Sequence, residues 1–598
     1  MSSIDRACHA LKKETTLTIP RHMIFFDTET SQHPLEDGSV EQRFKLGWAV
    51  YYRRKYKDHN ERTDWLYLDT MGSFWDFVYS KTRPKERLWI IARNVVFDFT
   101  IVHGWEHLRQ EGYKLKFFHN NGCSAIVTVK KGSSSIAFLD SMNWFTESLA
   151  VTGERIGIPK MSIDFDTCTM DELSVYCRND VLIEFENFRI FIAFLVDNMI
   201  GRLCYTKAST SMAAYLFRHY HTPIYIHNNA EAINLERLSY KGGRCECFAL
   251  GDFSGRDYHI VDVNSLYPYC MANSKCPTKY VQLHHRLTPE TLDNLMQDYA
   301  VVATVILNTD EPVYAIKRGR TIFPIGTFET TLTTPELRYA LDHGHVVKVL
   351  DAVSYEQANI FRSYVETMYG LRCKFKASKS RENEQIVKYM MNSLYGKFGQ
   401  KAEEWVKIGN VPGEPDREEM ILYKNPRRAM RLRYLLGELF ELKSHGEAYN
   451  SFPAISAHII ATARMHLWYL MLVCGHGNYI YCDTDSLIVT DVGLKNLAEQ
   501  MHPTELGKLK LEKTVQNLII RGLKDYVAGD KIAIKGIRKK AKQLSDGVYT
   551  QQQWPSFKGI FKSTTPNTYI VKTVTKHLTR EYTKGTVGEN GVITPFVL

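Results

Sequence analysis

The tetrad Asp483-Thr484-Asp485-Ser486 lies where two short β-prone runs, 479–482 and 487–489, meet. Two carboxylates spaced two apart at such a join suit a hairpin that presents acid groups to a metal ion. Asp262 stands far upstream, near the end of another apolar run, Ile260-Val261-Asp262-Val263. Acids gathered this way can hold two Mg²⁺ ions, which take oxygen ligands and complete their shells with phosphate and water. A metal pair lowers the pKa of an attacking hydroxyl and stabilises the leaving oxygens of an in-line displacement. Asp-Thr-Asp-Ser alone would also serve as a polar turn, so the chemistry must rest on the rest of the chain.

A second acidic constellation sits near the start. Ile24-Phe25-Phe26-Asp27-Thr28-Glu29 again ends an apolar run with two carboxylates two residues apart. Asn94-Val95-Val96-Phe97-Asp98 follows the apolar run 88–92 and adds a third acid. Tyr176-Cys177-Arg178-Asn179-Asp180 falls in a predicted helix over 171–198, so Tyr176 and Asp180, four apart, share a face. Thr169 and Glu172 form a capping box for that helix. Four carboxylates with a phenol suit phosphodiester hydrolysis, the phenol orienting the water.

The elements that must position these groups follow from hydrophobic patterning. Residues 1–200 read as an α/β unit with strands at 23–26, 88–92 and 136–139. A strand is expected at 300–307, one helical stretch over 357–401, a loop or excursion from Pro412 to Pro426, and an apolar helix at 454–474. The alternation at 508–513 predicts a half-exposed strand. At 598 residues the chain needs several cores. Its composition is that of a soluble globular protein without a signal peptide, and its longest apolar runs, 191–196 and 467–474, are short for a membrane span. Twelve cysteines without a C-x-x-C pair predict a reduced, cytoplasmic setting. From Glu505 onward seventeen Lys/Arg face seven Asp/Glu, so this segment holds the whole net charge of +10 and reads as a grip on a polyanion.

Three segments in order, carrying Asp27/Glu29, Asn94/Asp98 and Tyr176/Asp180, resemble the exonuclease motifs of proofreading family B DNA polymerases. Asp262-Val263-Asn264-Ser265-Leu266-Tyr267-Pro268 is similar to their polymerase motif A, Lys388-Tyr389-Met390-Met391-Asn392-Ser393-Leu394-Tyr395-Gly396 to motif B, and Tyr481-Cys482-Asp483-Thr484-Asp485-Ser486 to motif C. Motif B also makes sense by itself: Lys388, Asn392 and Tyr395 form one stripe on a helix, where a cation can meet a triphosphate. The resemblance runs from about Met23 to Lys542 and implies an α/β and α+β multidomain protein. An RNase H-like exonuclease would occupy 1–200, and a right-hand polymerase the rest. Its parts would be palm at 201–275 and 451–535, fingers at 357–400, thumb at 536–598, and insertions at 276–356 and 401–450.

The two insertions resemble those of the protein-primed branch, found in phages with linear genomes and in linear plasmids. By that resemblance the first insertion helps seat a terminal protein, and the second rings the template and supports strand displacement. The family pattern implies two Mg²⁺ per site, with Mn²⁺ able to substitute: Asp262, Val263 and Asp485 would bind metal in one, Asp27, Glu29, Asp98 and Asp180 in the other. Asp483 would be an accessory carboxylate, and Tyr176 and Lys160 would assist hydrolysis. Val263, Tyr267 (the sugar gate), Lys376, Lys388, Asn392 and Tyr395 would bind dNTP. Asn94, Ser141, the Tyr240-Lys241-Gly242-Gly243 linker, Arg464, Lys524 and Tyr526 would contact template or primer DNA. The implied partners are DNA, dNTPs and a terminal protein; a monomer without membrane association is expected. About fifteen residues ahead of the first motif have no evident role. A polymerase using ordinary primers or none, and an inactive DNA-binding replication factor, are the other readings; intact carboxylates in every motif oppose the last.

Overall fold

The computed structural model describes residues 6–56, 60–122, 124–424, 428–563 and 565–598, without the side chain of Arg428. Its N-terminal unit is built on the strand His22–Pro34, which pairs antiparallel with Val40–Arg53 and parallel with Arg87–Ala92; the latter runs parallel to Ser134–Asp140. Helix Met170–Asp197 covers one face, opening with the expected Thr169/Glu172 capping box. Phe185 and Phe188 pack their rings on Phe25, at 5.6 and 5.3 Å between centroids. Alternate residues of a strand share a face, so Asp27 and Glu29 emerge together with Phe25 on the helix side. They stand in the middle of the strand and not at its end as expected, since pairing continues to Pro34.

The palm is a five-stranded sheet in the order Cys245–Cys247, Tyr479–Asp483, Ser486–Val489, Tyr258–Val263, Leu509–Val515. Helix Pro453–Cys474 supports the palm and is long and apolar enough to cross a membrane on length and composition, but two thirds of its apolar window is buried inside the protein. The segment expected as one helical stretch is instead the end of strand Val346–Ala358 and two helices, Arg362–Ala377 and Arg381–Phe398. Lys379, at φ 57°, reverses the chain between them. Such a break leaves no trace in hydrophobic period, because both helices keep an apolar face.

Strands Cys276–His285, Val346–Ala358, Ala300–Thr309 and Gly326–Thr333 form the body of a six-stranded sheet in the first inserted region. The second is a four-stranded sheet, Lys401–Asn410, Glu438–Glu447, Arg428–Leu435, Arg417–Tyr423. Part of the expected 412–426 loop is thus the edge strand Arg417–Tyr423; Pro426 lies outside the described residues. Met420 and Leu422 are exposed there, so the strand is held by backbone pairing and has no buried face to betray it in sequence. Near the end of the chain, Tyr569–His577 joins the N-terminal sheet through Tyr569–Val571 opposite Val40–Gln42. The basic segment therefore leans on the N-terminal unit, a long-range pairing that no local pattern predicts.

Candidate active sites: two separate carboxylate pockets

The first pocket gathers Asp27 and Glu29 from a strand, Asp98 from the short helix Val95–Ile101, and Tyr176, Cys177 and Asp180 from Met170–Asp197. Asp98 accepts hydrogen bonds from the Thr28 amide (2.9 Å) and hydroxyl (2.7 Å), which fix it against the strand. Lys160 pairs with Asp180 and sets its ammonium 4.3 Å from the Tyr176 ring centre. Burial, then mutual repulsion, raises these acids: Asp27 well above the usual range, Asp98 to about 8, Glu29 to about 7, Asp180 upward. One oxygen each of Asp98 and Asp180 is buried without a hydrogen-bond partner among the described residues. Crowded acids with orphaned oxygens match the hard-oxygen donor set of Mg²⁺ or Mn²⁺. Ligand atoms of Asp27, Glu29 and Cys177 lie within 4.8 Å of one another, which brings a thiol to the edge of the acid group.

Asn94 holds the turn into the Asp98 helix at φ 61°. Its amide and that of Val95 donate to Asp140, a buried acid pushed up to about 7 chiefly by burial and overlooked in the sequence. Ser141, expected to touch a single strand, is fully buried and donates to Glu184 (3.0 Å), which pairs with Arg93. The neighbouring Met142 faces a cavity of about 1200 Å³ between this unit, palm and fingers, also lined by Trp89, Phe117, Lys207 and Asn392.

In the second pocket, sheet register brings the remote acids together. Asp262 pairs opposite Ser486, and the Val263 amide donates to the Asp485 carbonyl at 2.8 Å. Thr484 takes a left-handed φ of 66° between the two acids, a conformation costly for a β-branched residue. Its amide donates to the carbonyl of Arg244 (2.7 Å), which holds the turn. Asp262 is raised to about 7 by burial, Asp485 and Glu512, with Lys388 and Lys510 pulling the other way. Asp485 is raised by burial and Asp483, against Lys388 and Lys524. Asp483 has Lys524 Nζ at 3.3 Å and the Thr484 hydroxyl at 3.1 Å, partners that suit an accessory acid.

Lys388 and Asn392 are exposed on one stripe of Arg381–Phe398, and Lys376 is exposed on the facing helix. Tyr395, on the same stripe, stacks on Tyr267 with centroids 4.8 Å apart and planes at 16°. A Cβ at Gly243 would come within 3.1 Å of the Tyr267 hydroxyl and 3.0 Å of the Thr484 methyl, so a larger residue there would press on both. Gly242 is exposed, and Tyr240 packs so closely that a Cβ at Gly399 would lie 2.7 Å from its ring. Tyr526 lies against Tyr481 (5.5 Å between rings), whose hydroxyl accepts the Lys524 amide. Arg372, one turn before Lys376, bonds Ser265 Oγ at 2.8 Å and could have been found from that spacing.

Arg464 departs from expectation. It is buried, pairs with Glu336 at 2.7 Å and donates to the carbonyls of Lys241 and Gly242. Lys241, also buried, donates to Ala315, Thr330 and Thr331, and burial lowers it to about 7. Arg464 therefore clamps the linker to the first inserted sheet.

The family described as DNA polymerase type B, organellar and viral, matches residues 166–415. A "Probable DNA polymerase" of Neurospora intermedia is 29% identical over 60% of this chain, which spans only 37% of that protein's length. The "DNA-directed DNA polymerase" of Enterobacteria phage PRD1 is 26% identical, covering 86% of this chain and 84% of that protein. Over the segment 166–415 the chain is similar to the organellar and viral type B DNA polymerases. Its fold is that of Phi29 DNA polymerase: the structure of that enzyme with primer-template DNA and incoming nucleotides superposes with TM-score 0.66 at 16% identity, covering 93% of this chain and all of the other.

Proposed function

We propose that the protein is a template-directed DNA polymerase with a 3′–5′ proofreading exonuclease, primed by a separate terminal protein and working in the host cytoplasm or the compartment that holds its replicon. The observation that carries this reading is the pair of acid pockets, each assembled from carboxylates far apart in sequence, on a fold shared with Phi29 DNA polymerase. Mg²⁺, when bound by Asp262, the Val263 carbonyl and Asp485 in one pocket and by Asp27, Glu29, Asp98 and Asp180 in the other, supplies Lewis acidity and charge neutralisation. In synthesis the primer 3′-oxygen bonds the α-phosphorus and pyrophosphate leaves, while Lys376 and Lys388 hold the triphosphate charge. The stacked Tyr267 and Tyr395 rings carry sugar and base pair. In editing, Tyr176, held by Lys160, orients a water at the terminal phosphodiester. In initiation a hydroxyl of the terminal protein replaces the primer.

Asp485→Ala should cut nucleotide incorporation about 10³-fold or more and leave 3′-trimming intact, with Asp27→Ala doing the reverse, measured by extension and degradation of one labelled primer. Loss of both activities in a folded single variant would refute the two-site assignment. Labelled dATP with terminal proteins encoded beside this gene should yield a protein–nucleotide adduct; efficient extension of ordinary primers with no adduct would favour the alternative branch. Ala402 and Gly446 are cross-strand partners, so deleting 403–445 closes the chain cleanly. That variant should still fill gaps but lose synthesis through a duplex; undiminished strand displacement would count against the ring.

A further inference from the structure

The residues ahead of the first exonuclease-like strand, without a role in sequence, cross the molecule to the point where the second inserted sheet returns to the palm. Arg6 is 7% exposed. Its guanidinium donates to the carbonyls of Ala448 and Ser451 and to the Ser451 hydroxyl, each at 2.9 Å, and to the His227 carbonyl of the palm at 2.6 Å. Ser451 passes its own hydrogen to Glu447 (2.7 Å), the last residue of the inserted sheet. Glu447 is gripped by Arg237, whose other arm reaches the carbonyl of Gly399 at the end of the fingers helix (2.8 Å). One buried cation thus ties three junctions: the returning limb of the insertion, the palm, and, through Glu447 and Arg237, the outgoing limb.

The segment continues this fastening. His9 stacks on Tyr449 (4.0 Å, 11°) and bonds Asn450, His9–Ala10 pairs as a strand with Tyr225–Ile226, and Leu11 is buried in the main core. The far end of this sheet docks on the N-terminal unit through buried Leu435 and Leu436 and the Arg109–Asp416 pair, whereas strand Lys401–Asn410, next to the base, is largely exposed. With the far end docked, the stiffness of the base helps set how well that exposed strand holds position under load.

We propose that residues 6–16 form a strap whose Arg6 is a positioning residue: it locks the base of the 401–447 sheet to the palm so that the sheet keeps its place when synthesis opens a duplex. The strand-displacement part rests on the function proposed above; the mechanical part does not. Arg6→Ala should lower displacement synthesis about tenfold while gap filling and trimming stay within about twofold, with Arg6→Lys partly restoring displacement. Independently of any activity, amides in Lys401–Asn410 and Glu438–Glu447 should exchange about tenfold faster in Arg6→Ala, with the N-terminal sheet unchanged. Unchanged exchange overturns the strap. Faster exchange with wild-type displacement, or an equal loss of gap filling, overturns its part in displacement. A wild-type protein that makes no DNA at all would instead sink the proposed function, and the exchange measurement would still decide the strap.

Discussion

The two acid pockets reach similar chemistry with different balances of acid and positive charge. In the N-terminal pocket Lys160 acts on Asp27, Glu29 and Asp180, with Lys45 also pulling on Glu29 and Arg93 on Asp180. In the palm, Asp262 and Asp485 face Lys388, with Lys510 and Lys524 beside them. Burial raises both sets, to about 8 at Asp98 with Asp27 well above the usual carboxylate range, and to about 7 at Asp262. Under the proposed function the lysines that hold a triphosphate also restrain the palm acids, whereas burial and the repulsion of acid by acid dominate the N-terminal pocket. The N-terminal acids therefore hold protons more strongly than ordinary carboxylates, and a divalent cation must compete with those protons to bind.

The sharpest way to break this comparison is to exchange the lysine dependence. Lys160→Met should lower trimming about 10²-fold with incorporation unchanged, and Lys388→Met the converse; equal effects of either variant on both activities would show the pockets to be electrostatically joined. The aromatic wall is a second difference, since only the palm stacks Tyr267 on Tyr395. Tyr267→Val should relax discrimination against ribonucleotides about 10²-fold without touching trimming, read by single-nucleotide insertion; unchanged sugar preference would remove the gate.

A smaller effect follows from pH. Protonated carboxyls do not ligate, so trimming at fixed Mg²⁺ should fail at higher pH than incorporation as pH drops from about 8.5 to 6. Coincident acid limbs would mean that bound metal, and not the protein's charge, sets both. The same acids act on stability with the opposite slope. Their folded pKa values exceed the unfolded ones, so the folded state holds extra protons between the unfolded value near 4 and the folded values near 7 to 8. In chelator, melting temperature should fall as pH rises through that window, Mg²⁺ should reverse the fall, and Asp27→Asn should flatten it.

Much of this was legible in the chain. The Thr169/Glu172 box opens Met170–Asp197 as read, and Asp262 and Asp483 lie at strand ends, while the strand carrying Asp27 runs on to Pro34. Local signals reach that far because caps and apolar periods act over a few residues. The burial of Arg464 and Ser141 was not legible, because position in a motif says nothing of burial: each bonds a buried acid from another element, Glu336 or Glu184. The edge strand Arg417–Tyr423 was missed because an exposed strand has no period to detect.

Sequence alone determined which acids, lysines and tyrosines could do chemistry, because side-chain type and spacing are covalent facts. Tertiary structure alone decided which of them meet. The approach of Asp262 to Asp485 depends on strand register, the restraint of their charge on lysines from separate elements, and the use of Arg6 on a junction some 440 residues away. Burial and electrostatic coupling act through space, and only the fold sets those distances.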